Sequence, residues 1–219
     1  MFVTIPTHMD ITYLGHASFR LSGKSLSVVI DPYEEVKSGQ RFNKTSADVV
    51  LVSHEHFDHN KVELVEGKRK VIDGPGEYEI DGVSFIGLPT YHDEKKGEER
   101  GKNTVYIVEM DGVRIAHLGD LGHKLDEKTL SAMGEIDVLM VPVGGVYTID
   151  SEVAAEVVRS IEPKFVLPMH YGLKKEDELE TVEPFVTALG IKSEEMAKLT
   201  IKPSDLIGED QMVVLLQKK

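Results

Sequence analysis

The stretch Val49-Val50-Leu51-Val52-Ser53-His54-Glu55-His56-Phe57-Asp58-His59 runs four apolar residues straight into three histidines and an aspartate. Residues 49–52 are continuously apolar, the pattern of a central strand covered on both faces. Side chains alternate along an extended chain, so His54 and His56 point the same way and can share one metal ion. Asp58 and His59 lie just beyond, where a turn lets them serve a second ion. Neutral imidazole and carboxylate suit zinc, and also manganese or iron. The bland reading is a solvated polar loop, but this density of ligand types after a buried strand favours metal.

A chain of 219 residues, 41% hydrophobic and 29% charged, is long enough for a sizeable core and reads as one soluble domain over residues 1–219. Its net charge of -13 argues against nucleic acid or a membrane surface as partner. A small anionic substrate stays open, because a bound metal can locally outweigh that charge. Without cysteine there is neither a disulfide nor a thiolate metal site, which fits a cytoplasmic protein. No basic segment leads into an apolar run near the start, and no stretch reaches the ~18–20 apolar residues of a membrane span, so neither signal peptide nor anchor is expected.

Strands are expected at 11–14, 19–21, 26–30, 71–72, 78–80 and 83–88, with loop over 34–46 and a short helix at 60–66 ending at Gly67. Segments 104–110 and 113–117 form a hairpin around Asp111-Gly112. Further on, helices are expected at 126–133, 151–161, 181–189 and 193–199, alternating with strands at 138–141, 165–169 and 213–216. In 151–161 the apolar residues Val153, Val157, Val158 and Ile161 share one face behind a cap at Asp150 or Ser151. The whole is a layered α/β arrangement. The charged segment 93–102 reads by itself as a solvated hairpin tip. Its position directly after His92 raises a role in covering a substrate.

Three more potential ligands sit where an apolar run gives way to a loop: His92 after 83–90, Asp120 after 113–117 through Leu118-Gly119, and His170 after 165–169. That is where α/β folds collect functional groups. Together with Gly15-His16-Ala17-Ser18, Ile30-Asp31-Pro32 and the 53–59 cluster, they resemble the metallo-β-lactamase-fold hydrolases. The first of these elements and Gly74-Pro75-Gly76-Glu77-Tyr78 resemble the branch containing L-ascorbate-6-phosphate lactonase-like enzymes. The resemblance implies a four-layer αββα sandwich, two mixed sheets face to face with helices outside and metals at one edge. It implies that His54, His56 and His92 hold one ion, that Asp58, His59 and His170 hold the other, and that Asp120 bridges them. His56 stands where the flavodiiron branch has glutamate, which disfavours a redox diiron role.

The expected cofactors are two divalent metal ions, zinc first, with manganese or iron as alternatives. A hydroxide held between two such ions would attack an ester, lactone or phosphodiester of a small-molecule substrate. Asp58 and Asp120 are then catalytic candidates as well as ligands. His16, in its tight turn, and His123, after Gly122, are candidates for general acid or orienting work, with structural hydrogen bonding as the alternative. His117, inside an apolar strand pattern, reads as structural. Arg100 and Lys102 are candidates for binding a substrate phosphate. The competing readings are a non-enzymatic metal-stabilised sensor or interaction domain, and a nucleic-acid phosphodiesterase. Oligomeric state is not legible in the chain.

Overall fold

The computed structural model describes residues 8–36, 39–208 and 210–219. Two mixed sheets lie face to face. In one, Leu199–Ile201 (β15), Met9–Gly15 (β1), Ser18–Ser22 (β2), Ser27–Ile30 (β3), Val49–Leu51 (β5) and Lys70–Ile72 (β7) lie side by side in that order. In the other, the order is Ser193–Met196 (β14), Met212–Leu216 (β16), Phe165–Met169 (β13), Val138–Pro142 (β12), Val113–His117 (β11), Lys102–Met110 (β10), Val83–Tyr91 (β9) and Gly76–Ile80 (β8). Thr45–Ser46 (β4) and Val65–Glu66 (β6) pair with each other alone. Three α-helices, Glu127–Met133 (α1), Ser151–Ile161 (α2) and Glu183–Leu189 (α3), belong to the second half. None of the helices is long and apolar enough to cross a membrane.

The apolar run that opens the sequence argument behaves as its pattern requires. β5 is flanked on both sides by parallel partners, β3 and β7. Val49 and Leu51 enter the core between the sheets, while Val50 and Val52 enter a separate cluster on the outer face. The inter-sheet core joins Phe19, Ile30 and Leu51 to Phe85, Ile115 and Leu167. The helices cover the outer face of the eight-stranded sheet, where Met133, Val157, Val158 and Phe185 meet Val105, Leu139 and Val166. The outer face of the six-stranded sheet is covered differently, by Tyr33, Phe42, Ala47 and Val65 from loops and short pairings.

One expected helix is absent and another is reduced to a single turn. Ser193–Met196 is an edge strand parallel to β16, and Leu199–Ile201 pairs with β1, so the segment 193–199 is extended. Its Glu, Met, Ala and Lys residues favour helix only weakly, and the gain from burying Leu199 and Ile201 decides otherwise. Exposed Glu194 and Glu195 suit an edge strand, because charge discourages further pairing. In 60–66 the chain forms a one-turn 3-10 helix, Val62–Leu64, without a side-chain cap, and then β6.

Tyr106 fastens the two sheets above the site. It is fully buried on β10, and its hydroxyl is 2.9 Å from the Val52 carbonyl and 3.1 Å from that of Ile72, at the ends of β5 and β7. The Ile72 carbonyl keeps the Val52 amide at 2.9 Å, but the Val52 carbonyl loses its hydroxyl donor, so Tyr106→Phe should cost about 1–3 kcal/mol in chemical denaturation. A loss within error would show that the sheets hold their spacing without this contact.

Candidate metal centre

The topology gathers the candidate ligands at one edge. β3 and β5 are parallel, so Asp31 and the 53–59 segment emerge together. β1 and β2 are antiparallel, and Phe19 pairs with Ile30, so the tight turn carrying His16 lies at that same edge. In the facing sheet β11, β12 and β13 are parallel, which brings Asp120 and His170 out on one side. Lys102 pairs with Tyr91 in the antiparallel β9–β10 hairpin, so His92 joins them. The His170 amide donates to the His16 carbonyl at 2.8 Å and stitches the two edges together.

Asp120 is the hub. Its Oδ2 lies 3.1 Å from His92 Nε2, 3.3 Å from both His59 Nε2 and His170 Nε2, and 3.8 Å from His54 Nε2. Around it, potential ligand atoms fall into a group of His54, His56 and His92, a group of His16, Asp58, His59 and His170, and the trio His54, His59 and Asp120. Each of the two expected ligand sets is thus assembled, and Asp120 touches members of both. His16 enters the second group in addition. Close backbone approach makes this possible. A Cβ on Gly122 would sit 2.2 Å from the His92 carbonyl carbon, and one on Gly144 would sit 2.2 Å from the His170 carbonyl oxygen. Glycine is required at both positions.

Burial lowers the basicity of two of these histidines, pushing His54 down to about 3 and His16 to about 4, whereas burial of His59 is outweighed by the Asp120 and Asp31 carboxylates, which raise its pKa. His54 and His16 are therefore neutral at physiological pH, the form in which imidazole binds a metal. For Asp120, burial pushes the pKa up, but the surrounding His170 and His59 imidazoles outweigh it and keep the carboxylate ionised. Asp58 follows the same balance, with burial opposed by its neighbours His16 and His59, and its pKa falls below the ordinary range. His16 Nε2, His59 Nε2, His92 Nδ1, His170 Nδ1 and Asp120 Oδ1 are buried without a hydrogen-bond partner. Such atoms cost about 1–3 kcal/mol each when left unsatisfied. A divalent cation between His16 Nε2, His59 Nε2 and the Asp120 carboxylate would satisfy imidazole nitrogens and carboxylate together, so the donor set fits a metal.

Asp31 is the residue that ligand counting overlooked. It is fully buried, and its Oδ2 lies 2.9 Å from His59 Nδ1. The same carboxylate accepts from the Ser53 amide at 2.7 Å and the Ser53 hydroxyl at 2.6 Å. A proton on His59 Nδ1 leaves Nε2 facing Asp120, so Asp31 sets the tautomer from behind. The available signal was its position in Ile30-Asp31-Pro32, at the end of the strand neighbouring β5.

His123 is not brought to the centre. Its Nε2 accepts from the Tyr91 amide at 3.2 Å, and its Nδ1 faces the Lys124 carbonyl at 2.7 Å. With both nitrogens engaged by backbone and the ring outside the cavity lining, His123 fits the structural alternative. His117 is engaged at both nitrogens as well: Nδ1 accepts from Gly119 N, so Nε2 donates to the Ala17 carbonyl at 2.8 Å.

Segment 93–102 is more ordered than a solvated tip. The buried Asp93 carboxylate accepts from the amides of Lys95, Gly97, Glu99 and Arg100. Desolvation opposes its ionisation, but those four donors hold its pKa down to about 2. The ordered turn carries Arg100 to a cavity of about 510 Å³ above the centre. There the guanidinium lies 5.7 Å from the Tyr147 ring centroid and donates to the Val146 carbonyl at 3.3 Å. Lys102 lies at the start of β10 and is not among the residues lining that cavity.

Residues 10–170 match the beta-lactamase superfamily domain family. The chain is 31% identical over 192 residues to a UPF0173 metal-dependent hydrolase of Pyrococcus furiosus, covering 75% of this chain and 85% of that relative. It is 29% identical over 226 residues to one of Thermococcus onnurineus, covering 91% and 99% of the two chains. The fold matches the crystal structure of a candidate Zn-dependent hydrolase of the metallo-beta-lactamase superfamily from Thermotoga maritima with a TM-score of 0.76. Identity there is 36%, over 95% of this chain and all of that one. Sandwich and His/Asp cluster together define a metal-dependent hydrolase of the metallo-β-lactamase superfamily. Within it, the chain belongs to the UPF0173 family of metal-dependent hydrolases.

Replacing Asp31 with asparagine should keep the Ser53 amide contact but lose the charge behind His59. Metal affinity in a chelator competition should then fall roughly 10–100-fold. Unchanged affinity would mean that His59 is oriented without Asp31.

Proposed function

We propose that this protein is a two-metal hydrolase that cleaves an ester, lactone or phosphodiester bond in a small anionic molecule. The observation that carries the reading is the placement of Asp120 Oδ2 against His59, His92 and His170, with donor groups to either side. His54, His56 and His92 would hold one ion, and Asp58, His59 and His170 the other, with Asp120 shared. Zinc leads for this N/O donor set, with manganese or iron as competitors. Such ions supply Lewis acidity and bring the pKa of water toward ~7. The lactonase-like character of residues 15–18 and 74–78 agrees with a strained or activated ester as the target.

The chain's own groups shape the rest. Asp58 stays ionised at neutral pH, which suits it to accept a hydrogen bond from a nucleophile and fix its direction. The same low pKa makes it a poor proton store, so it orients more than it relays. Phe57, Tyr147, Tyr171 and Leu179 give the cavity apolar walls that can exclude water from the reacting bond. Arg100 is the sole lysine or arginine among the described residues lining it, and it sits on the ordered 93–102 turn at the rim. A guanidinium there fits a phosphate or carboxylate on the substrate. Glu176, Asp177 and Glu178 line another part of the cavity, and with the net charge of -13 they disfavour a nucleic-acid strand.

Metal analysis of natively purified protein should find about two ions per chain, and a screen of esters, lactones and phosphodiesters should find turnover that chelation removes. Asp120→Ala should abolish that turnover with the fold retained by circular dichroism; full activity would overturn the proposal. Arg100→Ala should raise KM for an anionic substrate about tenfold or more, the value of a lost charged hydrogen bond, with a smaller effect on kcat. An equal rise for an uncharged analogue would deny Arg100 this role.

A further inference from the structure

His16 belongs to neither three-residue ligand set of the two-metal reading, yet its placement is tightly constrained. It lies between β1 and β2 with φ 54°, a left-handed backbone that a residue with a Cβ adopts at a cost. Three hydrogen bonds hold it there. Its carbonyl accepts from the Tyr13 hydroxyl at 2.8 Å and the His170 amide at 2.8 Å, and its amide donates to Gln40 Oε1 at 3.3 Å. The effect of this constraint is to aim one imidazole inward.

That side chain is 6% exposed. Its ring centroid is 4.3 Å from that of His170 and 5.1 Å from that of His59. Its Nε2 approaches Asp58 Oδ2 to 3.3 Å yet forms no hydrogen bond of acceptable geometry with any group. Proximity without alignment is what two donors show when each is directed at a point between them.

We infer that His16 is a fourth protein ligand at the second metal position, alongside Asp58, His59 and His170. This rests on the two-metal reading and adds an asymmetry to it. Three imidazoles and a carboxylate supply four protein donors before Asp120 is counted, whereas His54, His56 and His92 supply three. A four-donor set resembles a closed, retained site, and a three-donor set leaves a position for water or substrate. The ion beside His16 is therefore the tightly held one, and the ion beside His56, which is exposed on the cavity side, is the one that meets substrate.

The test uses His16→Asn and His16→Gly, because both residues tolerate a left-handed backbone. Metal-free wild-type protein is titrated with Co²⁺, followed by its visible absorption and by metal analysis after gel filtration. Wild type should bind two ions with separable affinities. Each variant should keep the weaker ion and bind the tighter one about tenfold or more less well, with altered absorption for that ion. Added imidazole should restore the His16→Gly spectrum. Two ions held with wild-type affinities and spectrum in both variants would overturn the assignment of His16 while leaving the two-metal reading in place. Failure of both metal-free variants to fold would also overturn it, by showing His16 to be a structural residue. Uptake of a single ion by wild type would instead remove the two-metal reading itself.

Discussion

A buried carboxylate with no countercharge would be the least tolerable feature of any protein interior. Asp120 is 2% exposed, and the edge of the sandwich is arranged around its Oδ2. His59 comes from the β5 loop, His92 from β9 and His170 from β13, so one oxygen gathers side chains from both sheets. The glycines at 122 and 144 exist at this edge because the His92 and His170 backbones pass where a Cβ would stand. The electrostatic demand of Asp120 and the close packing of its neighbours are thus one constraint seen twice.

The same edge holds backbone strain. His16, Asp31 and His170 have φ of 54°, 48° and 52°, and each presents its side chain to the centre or to a residue in it. Left-handed conformations persist where the surroundings over-determine them. At His16 and His170 the surroundings include the hydrogen bond between their own backbones, so the strain in one helps to place the other. Asp31 is fixed instead by two bonds from Ser53, the residue that opens the histidine cluster. Support and ligand are therefore adjacent in sequence on one strand and in space across two.

Beyond the centre, the cavity draws on segments that the sheets do not constrain. Arg100 arrives on a turn organised by one buried carboxylate, Asp93, and Tyr147 arrives on the loop after β12, where its hydroxyl donates to Glu178. Val146, a β-branched residue at φ 57°, carries the carbonyl that Arg100 holds. Walls of this kind can change without disturbing the metal ligands. That separation explains how one sandwich serves many hydrolases, with chemistry set by strand ends and selection set by loops.

Much of this was legible in the chain. An uninterrupted apolar run into His-x-His-x-Asp-His determines a buried strand ending in ligands, because burial of both faces and metal chelation impose recognisable local patterns. The caps and apolar stripe of Ser151–Ile161 are equally local, and its boundaries agree with the pattern. The segment 193–199 went astray because its extended form depends on β16 and β1, which lie far from it in sequence or supply pairing that composition does not encode. The roles of Asp31 and His16 were not legible for a related reason, although both residues stood in the motifs. A carboxylate behind a histidine, or an imidazole between Asp58 and His170, is defined by distances across strands. By itself the sequence determined the type of chemistry, since residue identity decides what can bind a metal. Only the tertiary structure decided which side chains meet, because strand order and register carry the ends of β1, β3, β5, β9, β11 and β13 to one edge.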